Sequence, residues 1–254
     1  MRNLINSPGF RKYFANTSWL LGERIIRMAA SLFVGIYVAR YLGPERFGLL
    51  SYANSYVGIF TAIAILGLDG IVVRELVKSP DQRNTLLGTS FLLKVIGTLL
   101  MWILILAALF FSNNTPLTNT LIAIIAFGVL FQSFNVIDYN FQAEVKSKYV
   151  VHSQIVQLIV SSITKLVLII KGSPLIWFAV VYSLDAIILA MGLAYAYSRN
   201  SGSIKKWKWN AKVALALLLD SWPLMFAYMS YLIYAKIDRI MIKEMLDDHN
   251  VGIY

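Results

Sequence analysis

Inside long apolar runs of this chain stand side chains that could hold an ion or pass on a proton. Glu23, Arg24 and Arg27 lie together, and the four-residue gap between Glu23 and Arg27 sets that pair on one helix face. Ser90, Lys94 and Thr98 recur at every fourth residue. Gln154, Gln157, Ser161 and Lys165 follow an i, i+3, i+7, i+11 pattern, again a single helical face. The carboxylates are Asp138, Asp185 and Asp238, the last between Lys236 and Arg239. Each ionisable group at bilayer depth costs about 2.5–3.5 kcal/mol on insertion scales, so each needs a partner or a wet cavity.

Polar bonds between membrane helices are worth about 0.6–2 kcal/mol each. That does not offset two unpaired lysines, so the two stripes are expected to line an aqueous cavity rather than only bond to each other. Cations outnumber anions at membrane depth, and a net positive cavity suits an anionic substrate. Lys94 and Lys165 are the expected cavity cations, with Arg24 and Arg27 near one mouth. Glu23 and Arg27 serve local neutralisation equally well. Asp138, Asp185 and Asp238 are candidates for coupling to a proton or sodium ion, and Asp185 could instead bridge Lys94 or Lys165.

Enzymatic chemistry finds little footing. The chain shows no glycine-rich phosphate loop, acidic metal motif, histidine dyad or nucleophile elbow. It has no cysteine, and its two histidines, His152 and His249, are far apart. Neither a metal site nor a cofactor is expected.

The elements that must carry these groups follow from composition. Of 254 residues, 58% are apolar and only 14% charged, too few charges to cover a soluble globule of this size. The 13% aromatic content excludes a disordered chain. Apolar runs of bilayer-spanning length predict seven spans at 17–39, 47–68, 86–111, 117–140, 153–170, 175–197 and 218–242. Glu23, Arg24 and Arg27 in the first run argue against a cleaved signal. Lys and Arg gather in alternate connections, from Arg2, Arg11 and Lys12 through Arg74, Lys78, Arg83, Lys146, Lys148 and Arg199 to Lys205, Lys206, Lys208 and Lys212. This asymmetry places the N-terminus in the cytoplasm. The net charge of +10 is accounted for by such loops, and nucleic acid is not an expected partner.

Three basic amphipathic pieces, 10–19, 145–156 and 204–216, read as anchors at the membrane surface, touching anionic lipid. The stretch 199–210 is polar, contains Ser201-Gly202-Ser203, and reads as a linker. Beyond it the first span has an echo. Leu42-Gly43-Pro44-Glu45-Arg46-Phe47-Gly48-Leu49 matches Leu246-Asp247-Asp248-His249-Asn250-Val251-Gly252-Ile253 in pattern at an offset of 204 residues. The expected architecture is therefore an all-α polytopic bundle. A six-helix lobe spans 1–198, a cytoplasmic linker 199–210, and a second lobe starts over 211–254 with the seventh helix and breaks off at Tyr254. About 200 further residues would complete a two-copy transporter.

The stretch Val38–Tyr52, with Leu42-Gly43-Pro44-Glu45-Arg46-Phe47-Gly48 at its centre, resembles the start of bacterial polysaccharide flippases. These are the O-antigen and capsule repeat-unit translocases of the multidrug/oligosaccharidyl-lipid/polysaccharide exporter superfamily. The likeness continues through Gly67-Leu68-Asp69-Gly70, Val73-Arg74-Glu75 and Lys236-Ile237-Asp238-Arg239-Ile240-Met241-Ile242. It implies two six-helix lobes that alternate between inward-open and outward-open forms in the bacterial inner membrane. The implied substrate is an undecaprenyl-pyrophosphate-linked glycan, moved to the periplasmic leaflet with ion coupling. A polysaccharide polymerase and a chain-length regulator are the partners such a step would meet. An exporter of drugs or lipids from the same superfamily, or a non-transporting remnant, would share these features.

Overall fold

The computed structural model describes residues 8–112 and 114–254, with side chains from Phe14 onward. Arg2 and Asn113, and the side chains of Phe10, Arg11 and Lys12, lie outside the described residues. Every element found among the described residues is helical. In chain order they are α1 (Pro8–Ile65), α2 (Asp69–Lys78), α3 (Arg83–Phe110), α4 (Pro116–Val129), α5 (Val136–Ala143), α6 (Lys148–Ile170), α7 (Leu175–Asn200), α8 (Ala211–Met245) and α9 (Asp248–Ile253). Six stretches are long and apolar enough to cross a membrane, and this is a multi-pass membrane protein.

Six stretches replace seven predicted spans because the first two are joined. Helix α1 turns at Gly43, whose φ of 70° and ψ of 170° leave the helical region. Glycine reaches that left-handed φ without a Cβ clash, and Pro44 lacks the N–H that a helix start would leave unpaired. The second arm, residues 44–65, therefore begins at once with no loop. It ends at Leu66 and Gly67, both at positive φ. The fourth predicted span is also divided, by a 3₁₀ segment at Leu130–Asn135 between α4 and α5.

The core has two apolar centres. One joins Leu50, Tyr52, Met101, Ile105, Leu121, Ile122 and Phe178. The other, at the end where the basic connections gather, joins Leu68, Val72, Leu87, Ile137, Phe141, Leu193 and Tyr197. Between helices in lipid there is no hydrophobic drive, so close backbone approach supplies the cohesion. Gly97 meets the carbonyl of Ile63, and Gly128 and Gly192 receive Ser183 and Ser153.

Two of the three expected surface anchors take another form. Residues 145–147 form a turn tied by Asn16, which accepts from the Ser147 N–H at 2.7 Å, and α6 continues unbroken from Lys148. Val150 and Val151 on its first turns are buried. The segment 204–210 is a short 3₁₀ turn followed by extended chain, not an amphipathic helix, and it is not a loose linker. Trp207 donates to the Tyr197 hydroxyl at 3.1 Å and packs on Phe91, while Thr89 accepts from the Asn210 N–H at 3.1 Å. Gly88 permits this approach, since a Cβ there would lie 2.6 Å from the Lys208 carbonyl.

Candidate functional site

The two spacing stripes lie apart: Lys94 stands beside Leu93 and Tyr139 of the second apolar centre, and Lys165 at a cavity walled by Val38, Leu50 and Phe178 of the first. They do not bond to each other. Lys94 and Lys165 each close on their own partners, while the Ser90 hydroxyl and a Gln154 oxygen are buried with no hydrogen-bond partner among the described residues.

On α6, Lys165 Nζ stands 3.7 Å from Asp185 on α7, whose same oxygen accepts from Ser161 at 3.0 Å. Gln157, one turn away, flanks Asp185 and accepts from Arg27 at 3.2 Å. Arg27 in turn pairs with Glu23 at 2.5 Å, as their spacing predicts. One network therefore runs Glu23, Arg27, Gln157, Asp185, Lys165 across three helices. The second oxygen of Asp185 is buried without a hydrogen-bond partner among the described residues. It is an acceptor held ready for a donor.

This network borders a cavity of about 330 Å3 lined by Ser31, Phe47, Ser161, Lys165, Phe178 and Tyr182, among others. At liquid density that volume holds roughly ten waters. Tyr182, 5.8 Å by its ring centre from Lys165 Nζ, also lines a second cavity of about 210 Å3. Asn54, Thr61, Gln132, Tyr228 and Lys236 complete much of that second wall. Lys236 reaches it from α8 across Gly58, where any Cβ would collide with its ammonium end. One turn on, Arg239 donates to Ser55 at 3.4 Å. Lys236 and Arg239 thus bring two further cations from α8, although sequence reasoning counted them without assigning them to the site.

Lys94 is placed differently from its expectation. It is 2% exposed and lines neither cavity. Its Nζ donates to the Tyr139 hydroxyl at 2.7 Å and lies 3.8 Å from Asp69, to which Tyr139 itself donates. Asp138 is within electrostatic reach of Lys94 and Asp69. Thr98 spends its hydroxyl on the Lys94 carbonyl. Burial this complete requires the pairing seen, so Lys94 belongs to a closed cluster at the junction of α2, α3 and α5.

Of the remaining candidates, Arg24 is exposed and apart from the network. Asp238 does not face its neighbour Lys236; it accepts from the Tyr254 hydroxyl and the Arg239 N–H. The structure thus brings Arg27, Lys165 and Asp185 together, and leaves Arg24, Lys94, Asp138 and Asp238 elsewhere. Among the described residues no group of three His, Asp or Glu side chains could hold a metal ion.

The two motifs related by the 204-residue offset touch. A Cβ on Gly48 would meet the carbonyl of Asp248, and one on Gly252 would meet the carbonyl of Pro44. Pro44 and Asp248 stand at matching positions of the two motifs, as do Gly48 and Gly252. The contact is reciprocal, as in a two-fold interface. Lys243 reinforces it, 2.8 Å from Asp248 and 4.3 Å above the Tyr52 ring. At the basic end, Arg74 links α2 to α8 by pairing with Asp220.

No curated protein and no solved structure matches the chain. A family model described as "Polysaccharide biosynthesis protein" matches residues 13–254.

Proposed function

The chain belongs to the polysaccharide biosynthesis protein family, and from that premise we propose that it flips undecaprenyl-pyrophosphate-linked oligosaccharide repeat units across the bacterial inner membrane. The direction is from the cytoplasmic to the periplasmic leaflet, for O-antigen or capsule assembly, by alternating access. The N-terminus lies in the cytoplasm on this reading, because the loops at that end carry most of the Lys and Arg.

The observation that carries the proposal is the paired cavity around Tyr182. Lys165 and Lys236 line it, with Arg239 one turn beyond Lys236 and the Asp185 carboxylate beside Lys165. A pyrophosphate carries about two negative charges at neutral pH and must exchange water for fixed cations in transit. Its polyprenyl tail needs no such site, since it can remain in lipid. Walls drawn from α1, α4, α6, α7 and α8 can part as those helices rock, whereas the Lys94 cluster closes within one side. Asp185, with its unpartnered oxygen beside Lys165, is the group placed to trade a proton or sodium ion against the substrate. On this reading the lobe over 1–198 walls the Lys165 cavity by itself and shares the Lys236 cavity with α8, the first helix of a second repeat starting at 211.

The test is Lys165→Ala in the full-length protein, reconstituted in liposomes with a fluorescent lipid-linked oligosaccharide. Flipping is expected to fall at least about tenfold, in keeping with loss of a desolvated charge pair, with Lys165→Arg retaining part of it. Undiminished flipping by a folded Lys165→Ala protein rejects the proposal.

A further inference from the structure

On the outside of the bundle, away from the paired cavity, α6 and α7 lie antiparallel and touch where Gly192 meets Ser153. Along this seam, to both sides of that contact, they leave a groove of about 560 Å3 lined by Tyr149, His152, Val156, Ile188, Met191 and Tyr195. Its walls are almost wholly apolar, and Met191 and Tyr195 are 60% and 64% exposed.

Two cations stand at the mouth of this groove. Lys148 opens α6, with its Nζ 5.0 Å from the Tyr149 ring centre, and Arg199 ends α7, with its guanidinium 5.7 Å from the Tyr195 ring. Both side chains are exposed. At the same end Arg83 and Lys146 are matched by Glu144, whereas Lys205, Lys206, Lys208 and Lys212 form no ion pair among the described residues. Among the described residues, no carboxylate pairs with Lys148 or Arg199. The antiparallel arrangement sets the start of one helix beside the end of the other, so the two charges share a level at the edge of the apolar layer.

We infer that this groove is a binding site for an anionic glycerophospholipid. The phosphate lies between Lys148 and Arg199, and one acyl chain fills the channel past Ile188 and Val156. A free anion would leave the channel unfilled. A zwitterionic lipid would bring its ammonium group against two cations. Two basic residues beside an anionic headgroup give it a preference of about tenfold or more over a zwitterionic one. The inference does not depend on what the protein transports.

The full chain, placed in nanodiscs of equal phosphatidylglycerol and phosphatidylcholine, is released into the gas phase and its retained lipids are weighed by native mass spectrometry. Phosphatidylglycerol is expected to be retained about tenfold over phosphatidylcholine. Lys148→Ala with Arg199→Ala should bring that ratio near unity without loss of folded protein, since both side chains are exposed. Ile188→Trp, which fills the channel and leaves both charges, should also lose the retained lipid. Equal retention of the two lipids by the wild type overturns the site. So does a ratio unchanged in either variant, or preferential retention of undecaprenyl phosphate when it is added in equal amount.

Discussion

Lys94 and Lys165 are the same residue type on polar helix faces, yet their surroundings give them different work. The Lys94 side chain is 3% exposed and is held by Tyr139 and Asp69, whereas that of Lys165 is 25% exposed beside a cavity large enough for water. Lys94→Ala leaves a void at a fully buried position and takes a partner from the Tyr139 hydroxyl, and should lower stability by about 2 kcal/mol. Lys165→Ala leaves Asp185 bonded to Ser161, its side chain still 20% exposed beside the cavity, and should cost only about 1 kcal/mol. Thermal unfolding of the two variants in detergent checks the order, and a Lys165→Ala protein less stable than Lys94→Ala would refute it. The helical spacing identified both lysines and the face each occupies. It could not identify their partners. Asp69 sits in a connection twenty-five residues before Lys94, and which helix turns its polar face to which neighbour is set by packing. Lys236 was visible as a charge, but its place over Gly58 depends on the rotation of α8.

Among the elements, hydropathy located the spans well because a bilayer fixes their length. Their breaks were less legible. Gly43-Pro44 reads as a turn, and it is one, but so tight that two spans form a single bent helix. The segment 199–210 shows polar composition and no sign that Trp207 docks onto Phe91 and Tyr197, a contact between residues distant in sequence. The short terminal helix α9 is governed by its cap. Asp247 accepts from the Asn250 N–H at 2.8 Å, and that bond holds its carboxyl below the usual carboxylate range. A lowered folded value means the cap contributes fully above the ordinary carboxylate pKa of about 4 and is lost as pH falls through the lowered value. Hydrogen exchange at the Asn250 amide should therefore show its protection factor intact at about pH 6 and diminished at about pH 3. Asp247→Asn, which caps without titrating, should show no such change; equal loss in both proteins would assign the effect elsewhere.

Across the whole molecule, both ends are fastened by an ion pair and by backbone against glycine: Arg74 with Asp220 and Gly67 against Ser221 and Met225 at the basic end, Lys243 with Asp248 and the Gly48–Gly252 contact at the other. The offset of 204 residues was legible as a faint likeness; that its two copies press on each other was not, because a sequence comparison carries no distance. The reciprocity has a consequence for inheritance. Each glycine makes room for a carbonyl belonging to the other copy, so neither position can drift alone, and a change at one cannot be repaired by a smaller residue at the other, which is already the smallest. Gly22 and Gly70 have nothing within 4 Å of a would-be Cβ and bear no such constraint. Saturation mutagenesis scored by folded membrane yield should find alanine tolerated at Gly22 and Gly70 and rejected at both Gly48 and Gly252. Two sites 204 residues apart would then show one shared intolerance, kept by steric necessity rather than by chemistry.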